Sequence, residues 1–432
     1  MDKLLRIIKM FIPKFLFSVL QPHYHRALSV AASAVYGNPS AKLKVIGVTG
    51  TNGKTTLVHL LTAILEGAGE PVASVSSLRF KIKGDEWKNM MKMTMPGRFT
   101  IQKFLTRAVS AGCKYAVLEV TSEGIKQFRH RGIDFYMAIL TNITPEHTES
   151  HGTFENYRAA KAELFKKAKI HILNGEDPSI EYFAKIPAET RIVYLKKDLP
   201  QDFHLKMSGD FNIENAVAAY SAAKFIGIDR QIIKKVLESF ENVPGRMEFI
   251  LREPFSVVVD YAHTPDALEK VYGTLKSPAG KLICVLGSAG GGRDKWKRPE
   301  MGKIAAKFCD EIIFTNEDPY DENPQSILKD IENGFLQILN PKSEILNKLK
   351  TINYPDAQSN LNNEVGTPTL RRGKLILDRR EAIREALKLA QPGDTIIITG
   401  KGAEPWLMGP NGTKIPWDDR EVVREELKNL EK

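Results

Sequence analysis

The run Gly50-Thr51-Asn52-Gly53-Lys54-Thr55-Thr56 holds residue types at a spacing that could do chemistry. Its glycines let backbone N–H groups close around an anion, and a helix starting at the lysine would add positive potential. Lys54 would reach the β- and γ-phosphates of a nucleoside triphosphate, and the Thr55 hydroxyl would help hold its Mg²⁺. The flanks can position such a cradle. Val45-Ile46-Gly47-Val48 reads as a buried parallel strand, and Leu57, Leu60, Leu61 and Ile64 recur at helical spacing. The strict P-loop pattern wants glycine at position 48, where Val48 stands. Strand, glycine turn and helix together still imply ATP binding with Mg²⁺.

With 432 residues the chain has room for two or three domains with real cores. Hydrophobic residues make up 42% and charged residues 26%, the balance of a soluble globular protein. The net charge of +10 suits anionic ligands or an anionic membrane surface. No nucleic-acid-binding motif accompanies it, so no nucleic-acid partner is expected. Cys113, Cys284 and Cys309 are far apart and match no zinc spacing, which predicts three buried free thiols in a reducing cytoplasm.

Residues 1–22 mix Lys3, Arg6, Lys9 and Lys14 with Leu4, Leu5, Ile7, Ile8, Phe11, Phe15, Leu16 and Phe17. The apolar segments are too short to span a bilayer. Ala32-Ser33-Ala34 resembles a cleavage site, but an ATP site so soon afterwards argues against export. Residues 1–43 therefore form a short basic apolar segment: a helix packed on its neighbour, or a peripheral anchor on a membrane or partner. Pro13 breaks any single long amphipathic helix.

Beyond the glycine run, strand-like and helical stretches alternate. Ala116–Val120, Met137–Leu140 and Ile170–Leu173 read as buried strands, with helices around 101–109 and 157–168. That pattern gives an α/β fold, a mostly parallel sheet with helices on both faces. Ligands belong beyond the carboxyl ends of its strands, where Glu119, Asn142 and the segment TPEHTESHG fall. A second unit opens near Pro244-Gly245-Arg246. Its candidate strands, Val257–Asp260, Leu282–Leu286, Ile312–Thr315 and Thr395–Thr399, predict a Rossmann-like α/β domain. The expected domains are thus 44–243 and 244–432. Residues 341–372 lack periodicity and read as a surface excursion; no internal repeat is evident.

Several segments appear in order from Leu140 to Glu404: LTNITPEHTESHGTFENYRAAKAELF, GDFNIENAVAAYSAAKFIG, VPGRMEF, VVVDYAHTPDALEK, LGSAGGGRDKWKRPEMG and ITGKGAE. Together they resemble the Mur ligase family, and DYAHTPDAL with GGRDKWKRP is most similar to its UDP-N-acetylmuramoyl-tripeptide synthetases. The resemblance covers about residues 42–340 and 373–425. It implies an ATP-dependent, ADP-forming amide ligase that adds an amino acid to a UDP-N-acetylmuramoyl-dipeptide. A carboxylate is a poor electrophile, so such an enzyme first converts it to an acyl phosphate, which an amine then attacks. Two anions must be held together, which calls for Mg²⁺ and basic side chains.

The family pattern assigns Glu119 as a Mg²⁺ ligand and brings His147 to a second metal, with Glu146 where the family shows aspartate. His151 is a secondary candidate. Lys161 is implied to be carbamylated, a long-armed carboxylate supporting the second Mg²⁺; a solvated surface lysine is the plain alternative. Asn212 and Asn215 border the nucleotide or cap a helix. Arg246, Asp260 and His263 bring ribose and base contacts. Arg293, Lys295, Lys297 and Arg298 read as a basic loop after a glycine triplet, a solvated face on the plain alternative; the family pattern puts Arg293 near a phosphate and Lys297 or Arg298 near the incoming amino acid. Thr94 and Pro96 match a loop that touches the muramoyl substrate, with Thr121 and Ser122 beside it.

Two departures bear on specificity. The family carries an N-terminal domain of roughly a hundred residues that grips uridine, and here only a short segment precedes the sheet. Where family members that add meso-diaminopimelate show Asp-Asn-Pro-Arg, this chain has Glu317-Asp318-Pro319-Tyr320. Tyr320 cannot form a bidentate ion pair. Gly400 and Glu404 are kept, with Ala403 in place of histidine, and Asp318 and Glu404 are expected at the amino-acid pocket, Glu404 binding the substrate's amino group through a charge-assisted hydrogen bond. The added residue is then a lysine- or ornithine-like diamine or a neutral amino acid. The expected protein is a cytoplasmic monomer. Competing readings are a Mur-like subunit amidating a lipid-linked precursor, a polyglutamate ligase, or a catalytically silent scaffold of wall synthesis. The first usually carries a four-cysteine zinc ribbon that three scattered cysteines cannot build.

Overall fold

The computed structural model describes residues 14–91, 93–146, 148–339 and 372–430. His147, residues 1–13 and nearly all of the expected excursion at 341–372 lie outside the described residues. The chain divides into two compact units. One runs to Pro145 and resumes from His151 to Glu241, and the other takes Glu146–Ser150 and everything from Asn242.

The first unit is built on strands β1 (Lys44–Thr49), β2 (Val72–Val75), β3 (Arg79–Ile82), β4 (Asp85–Lys88), β5 (Tyr115–Glu119), β6 (Phe135–Leu140), β7 (Ile170–Asn174) and β8 (Thr190–Tyr194). They lie in the order β4-β3-β2-β5-β1-β6-β7-β8. From β2 to β8 the pairing is parallel, and β3 and β4 add an antiparallel hairpin at one edge. Such a sheet must be covered on both faces. Leu57, Leu60, Leu61 and Ile64 of helix Lys54–Gly67 pack with Ala216–Ala219 of helix Asp210–Ile226 on one face. Ile101, Phe104 and Leu105 of helix Arg98–Ser110 and Tyr157, Leu164 and Phe165 of helix Phe154–Phe165 fill the other.

Helix Lys14–Val35 contains Pro22 and rests on the first unit. Ser29 Oγ donates to the Phe128 carbonyl at 2.7 Å and Ser33 Oγ to that of Gly132 at 3.3 Å. Gly132 (φ 72) lies so close that an added Cβ would sit 2.7 Å from Ser33 Cβ. Among the described residues no helix is long and apolar enough to cross a membrane.

The second unit has β9 (Glu248–Leu251), β10 (Ser256–Val259), β11 (Leu282–Leu286), β12 (Glu311–Phe314), β13 (Arg372–Leu375) and β14 (Thr395–Ile398), ordered β13-β12-β11-β14-β10-β9. All pair in parallel except β9. A small hairpin, β15 (Trp406–Met408) and β16 (Lys414–Pro416), follows. Val257, Ile283, Val285 and Ile396 pack under Ala382, Ile383 and Ala386 of helix Arg379–Leu389. Helices Lys297–Phe308 and Pro324–Leu339 cross closely at two glycines. A Cβ on Gly302 would overlap the Ile331 carbonyl, and one on Gly334 the Pro299 carbonyl.

The cysteine expectation fails for two of the three. Cys284 in β11 and Cys309 after helix Lys297–Phe308 are disulfide-bonded, and Cys113 alone is free and buried. Helix Lys297–Phe308 returns beside the strand it left, which brings the two Cα atoms to 6.1 Å. A separation of 25 residues gave no sign of it.

Candidate active site

The glycine run behaves as a cradle. Gly53 (φ 82) precedes helix Lys54–Gly67, whose first turn has no acidic residue and no side-chain cap. Its free N–H groups therefore face any anion placed there. Gly50 (φ 149) has no room for a side chain against Thr141 Oγ1, nor does Gly53 against Asn215 Oδ1. The strand-end loop after β6 pins the run. Thr51 N donates to the Asn142 carbonyl at 2.7 Å, Asn52 N to Asn142 Oδ1 at 2.9 Å, and Thr141 Oγ1 to the Asn52 carbonyl at 2.6 Å. Thr51 Oγ1 lies 3.0 Å from the Tyr157 hydroxyl. Lys54 Nζ folds back to the Thr51 carbonyl at 2.7 Å, and Thr56 is buried.

Beside this loop, three side chains converge. Thr55 Oγ1 lies 2.9 Å from Glu119 Oε2 and 2.9 Å from Ser77 Oγ, and Ser77 N donates to the same Glu119 oxygen at 2.9 Å. Hydroxyl and carboxylate oxygens are the hard donors that Mg²⁺ prefers. Ser77 was not foreseen; its only sequence signal is its place just past β2, at the carboxyl edge of the sheet. No group of three or more His, Cys, Asp and Glu able to hold a metal occurs among the described residues. The trio is mostly hydroxyl.

Lys161 is 1% exposed, so it is not a solvated surface lysine. Its Nζ donates to the Gly50 carbonyl at 2.7 Å and lies 4.5 Å from the centre of the Tyr157 ring. Asn212 is no helix cap, because Gly209 takes that position; its amide donates to the Ser208 carbonyl at 2.8 Å. His151 Nε2 is 3.5 Å from Glu123 Oε1. The two expected substrate loops meet: Arg129 donates to the Met95 carbonyl, and Gly124 packs on the Met95 side chain. Pro96 and Ser122 are buried, Thr94 is half-buried, and Thr121 Oγ1 accepts from Gly124 N at 3.1 Å as a helix cap.

In the second unit, Asp260 is committed to backbone. Its oxygens accept from Met247 N at 2.7 Å and Ala262 N at 2.6 Å, and burial pushes its carboxyl up from the ordinary value. Arg246 stacks 4.1 Å over the Tyr261 ring. His263 Nδ1 lies 3.0 Å from the Tyr261 carbonyl, and its Nε2 is 3.2 Å from Glu146 Oε1. Half of the basic run is not a solvated face: Arg293 and Lys295 are exposed, and the other two are not. Lys297 and Arg298 begin helix Lys297–Phe308 and are buried. Lys297 Nζ donates to the His263 carbonyl at 2.9 Å, and burial pulls its ammonium below the usual lysine range. Arg298 spends its fork on Asp330 at 3.0 Å and Glu322 at 2.9 Å. Arg293 remains exposed after Gly291 and Gly292.

A charged cluster caps the strand ends. Lys401 Nζ lies 3.0 and 2.9 Å from the two Asp318 oxygens and 2.6 Å from Glu404 Oε2. Tyr261 donates to Glu404 Oε1 at 3.0 Å. An internal ammonium thus already occupies the carboxylate expected to bind a substrate amine. Glu317, given no role of its own in the sequence reading, is 5% exposed, and its Oε2 is buried with no hydrogen-bond partner. It abuts Gly400 (φ 104), where an added Cβ would overlap that oxygen. Desolvation, then Asp318, raise the Glu317 pKa against the pull of Lys401, Arg379 and His263. Tyr320 takes a left-handed backbone (φ 52), with its ring against Gly291.

A phosphate-cradling α/β unit followed by a Rossmann-like unit with charged strand ends defines a nucleotide-using α/β protein of two parts. Residues 48–223 match the Mur ligase middle domain, and residues 245–402 match the Mur ligase, glutamate ligase domain. The chain is 36% identical, over 95% of its length and 82% of the relative's, to the UDP-N-acetylmuramoyl-L-alanyl-D-glutamate–2,6-diaminopimelate ligase of Thermosynechococcus vestitus. It is 34% identical, over 95% and 83%, to the UDP-N-acetylmuramyl-tripeptide synthetase of a Roseiflexus species. A solved structure of a UDP-N-acetylmuramoyl-L-alanyl-D-glutamate–2,6-diaminopimelate ligase superposes with a TM-score of 0.55 at 29% identity, covering 90% of this chain and 79% of that one. The chain belongs to the Mur ligase family.

The raised pKa of Glu317 has a measurable sign. A carboxyl whose folded pKa exceeds its unfolded value of 4.5 gives stability that is complete below that value and lost as pH rises through the folded pKa. Glu317→Gln should therefore raise Tm at neutral pH, and the gain should vanish near about pH 4. Thermal melts of both proteins across that range check it; a Tm shift independent of pH would contradict it.

Proposed function

We propose that the chain is an ATP-dependent, ADP-forming ligase that adds an amino acid to UDP-N-acetylmuramoyl-dipeptide during peptidoglycan synthesis. The observation that carries this reading is the meeting of Thr55, Ser77 and Glu119 beside a glycine loop that also holds Lys54 and Lys161. Membership of the Mur ligase family supports it. The ligase domains are taken as residues 44–243 and 244–432, working as a monomer in the cytoplasm. A carboxylate oxygen of the dipeptide attacks the γ-phosphorus of ATP, and ADP leaves. The amine of the incoming amino acid attacks the acyl carbon, loses a proton, and expels phosphate. Lys54 and the loop N–H groups of Gly50 to Thr56 bind the triphosphate. Thr55 and Glu119 would hold Mg²⁺, with His147 and Lys161 at a second ion. Bound Mg²⁺ neutralises charge that builds on the transferring phosphoryl group. Asn212, Arg246, Asp260, His263 and Arg293 serve the nucleotide, and Thr94, Pro96, Thr121 and Ser122 serve the muramoyl substrate.

Lys161 acts as a carbamate: its neutral amine adds to CO₂ and loses a proton, giving a carboxylate on a long arm. Lys161→Ala should be nearly inactive in phosphate release with UDP-N-acetylmuramoyl-dipeptide. Short carboxylic acids should restore part of the rate by filling the vacated place. A fully active variant would refute the assignment.

The amino acid is held by Lys297, Asp318, Tyr320, Gly400 and Glu404, with Arg298 fixing the start of the same helix. The partnerless Oε2 of Glu317 offers a site for a second ammonium. The diaminopimelate in the Thermosynechococcus vestitus relative's name carries two carboxylates, and Tyr320 offers no fork for the second. Lysine, ornithine or a neutral amino acid should therefore outcompete meso-diaminopimelate, by a margin on the order of 2–5 kcal/mol if a buried ion pair sets it. Competition with lysine, ornithine, alanine and meso-diaminopimelate at equal concentration tests this. Preference for meso-diaminopimelate would overturn it.

Residues 1–22 make peripheral contact with an anionic membrane surface. Helix Lys14–Val35, which includes residues 14–22, carries no acidic residue, and this supports the reading. The chain should sediment with phosphatidylglycerol vesicles and not with phosphatidylcholine vesicles; equal recovery from both would defeat the proposal.

A further inference from the structure

Arg379 opens helix Arg379–Leu389 on the covered face of the second sheet and is 3% exposed. It forms a bidentate pair with Asp419, Nε to Oδ1 at 2.8 Å and Nη2 to Oδ2 at 2.7 Å, and Asp419 is fully buried. Buried ion pairs of this kind can often be replaced by apolar residues of similar volume with no loss of stability. Stability alone therefore gives no reason for a guanidinium here. Its remaining donors show what an apolar residue could not do. Nη2 donates to the Thr399 carbonyl at 2.7 Å, and Nη1 to the Asn316 carbonyl at 3.3 Å.

Those two carbonyls lie at the ends of β14 and β12, strands that are not neighbours, because β11 runs between them. The residue after Asn316 is Glu317, and the residue after Thr399 is Gly400. The Glu317 carboxylate and the Gly400 backbone face each other with no space for a Cβ between them. Gly287, following β11, is just as constrained: a Cβ there would lie 3.0 Å from Glu317 Cβ and 2.7 Å from the Thr315 carbonyl. A small change in the separation of the two strand ends would move the Glu317 oxygen directly.

We propose that Arg379 is a positioning residue for the amino-acid pocket, gripping the ends of β12 and β14 across β11 and so fixing the Glu317 carboxylate against Gly400. Asp419 keeps the guanidinium planar to both carbonyls and neutralises it. The inference rests on the reading of Glu317 and Gly400 as part of that pocket.

The test uses the full chain and steady-state ADP formation, with KM measured separately for the amino acid and for ATP. The double variant Arg379→Met, Asp419→Leu removes the pair at roughly constant volume. Its KM for the amino acid should rise by about tenfold or more, while its KM for ATP stays within about twofold. A change confined to Tm and to the amount of active protein, with both KM values parental, would mean that Arg379 only supports the fold, and would overturn the proposal. Should the double variant fail to fold, Arg379→Lys carries the same test. It keeps a buried charge opposite Asp419 but lacks the fork to reach both carbonyls, so an unchanged amino-acid KM in it overturns the proposal equally. Glu317→Gln separates the two levels. If it leaves the amino-acid KM unchanged, the pocket reading itself fails; if it raises that KM while the Arg379 variants do not, only the positioning role fails.

Discussion

Parallel pairing of β1 with β5 and β6 is the constraint on which the first unit's chemistry depends. The register sets Val48 against Glu119 and Thr49 against Leu140, so all three chains leave the sheet at one level. The phosphate loop, the Glu119 carboxylate and the Thr141-Asn142 pair therefore emerge side by side. The loop's conformation is then fixed from outside itself, by Asn142 and Thr141, more than by its own residues. Lys161 reaches the Gly50 carbonyl from a helix on the opposite face from helix Lys54–Gly67, so both covering layers meet at the loop.

The second unit solves a different problem, that of gathering charge without water. Lys401 divides its single positive charge between Asp318 and Glu404, which leaves one negative charge in excess, while Glu317 stands beside them unsatisfied. A fold that leaves one carboxylate oxygen dry and partnerless bears a cost at neutral pH that a neutral side chain would remove. Such costs concentrate where a ligand is meant to supply the missing partner.

The glycine run, the buried strands β1, β5, β6, β7, β10, β11, β12 and β14, and the α/β alternation were legible in the sequence, because fully buried parallel strands read as unbroken apolar runs. Strand β2, the hairpin β3–β4, edge strand β8, strands β9 and β13, and the hairpin β15–β16 were not. β2 is buried but only four residues long and broken by Ser74; the others are short, and those at or near the sheet edges carry polar residues such as Arg79, Glu86 and Arg191. Thr55 and Glu119 were expected together and do meet. Ser77 joins them through tertiary placement alone, which no local pattern encodes. The same limit explains Cys284 and Cys309, and the conversion of Lys297 and Arg298 from a presumed basic loop to a buried helix start. Glu404 was expected to await a substrate amine; three residues away, Lys401 supplied one from the chain itself.

The crossing of helices Lys297–Phe308 and Pro324–Leu339 carries a consequence for how this sequence can drift. At Gly302 and at Gly334 the obstructing atom is a carbonyl of the facing helix, not a side chain. A clash between two side chains can be relieved by shrinking either one, so such pairs exchange residues freely over generations. A clash with backbone has no such partner to trade with. The two positions are therefore closed to neutral exploration, each on its own account, and the helix that begins with Lys297 inherits a fixed depth against its neighbour.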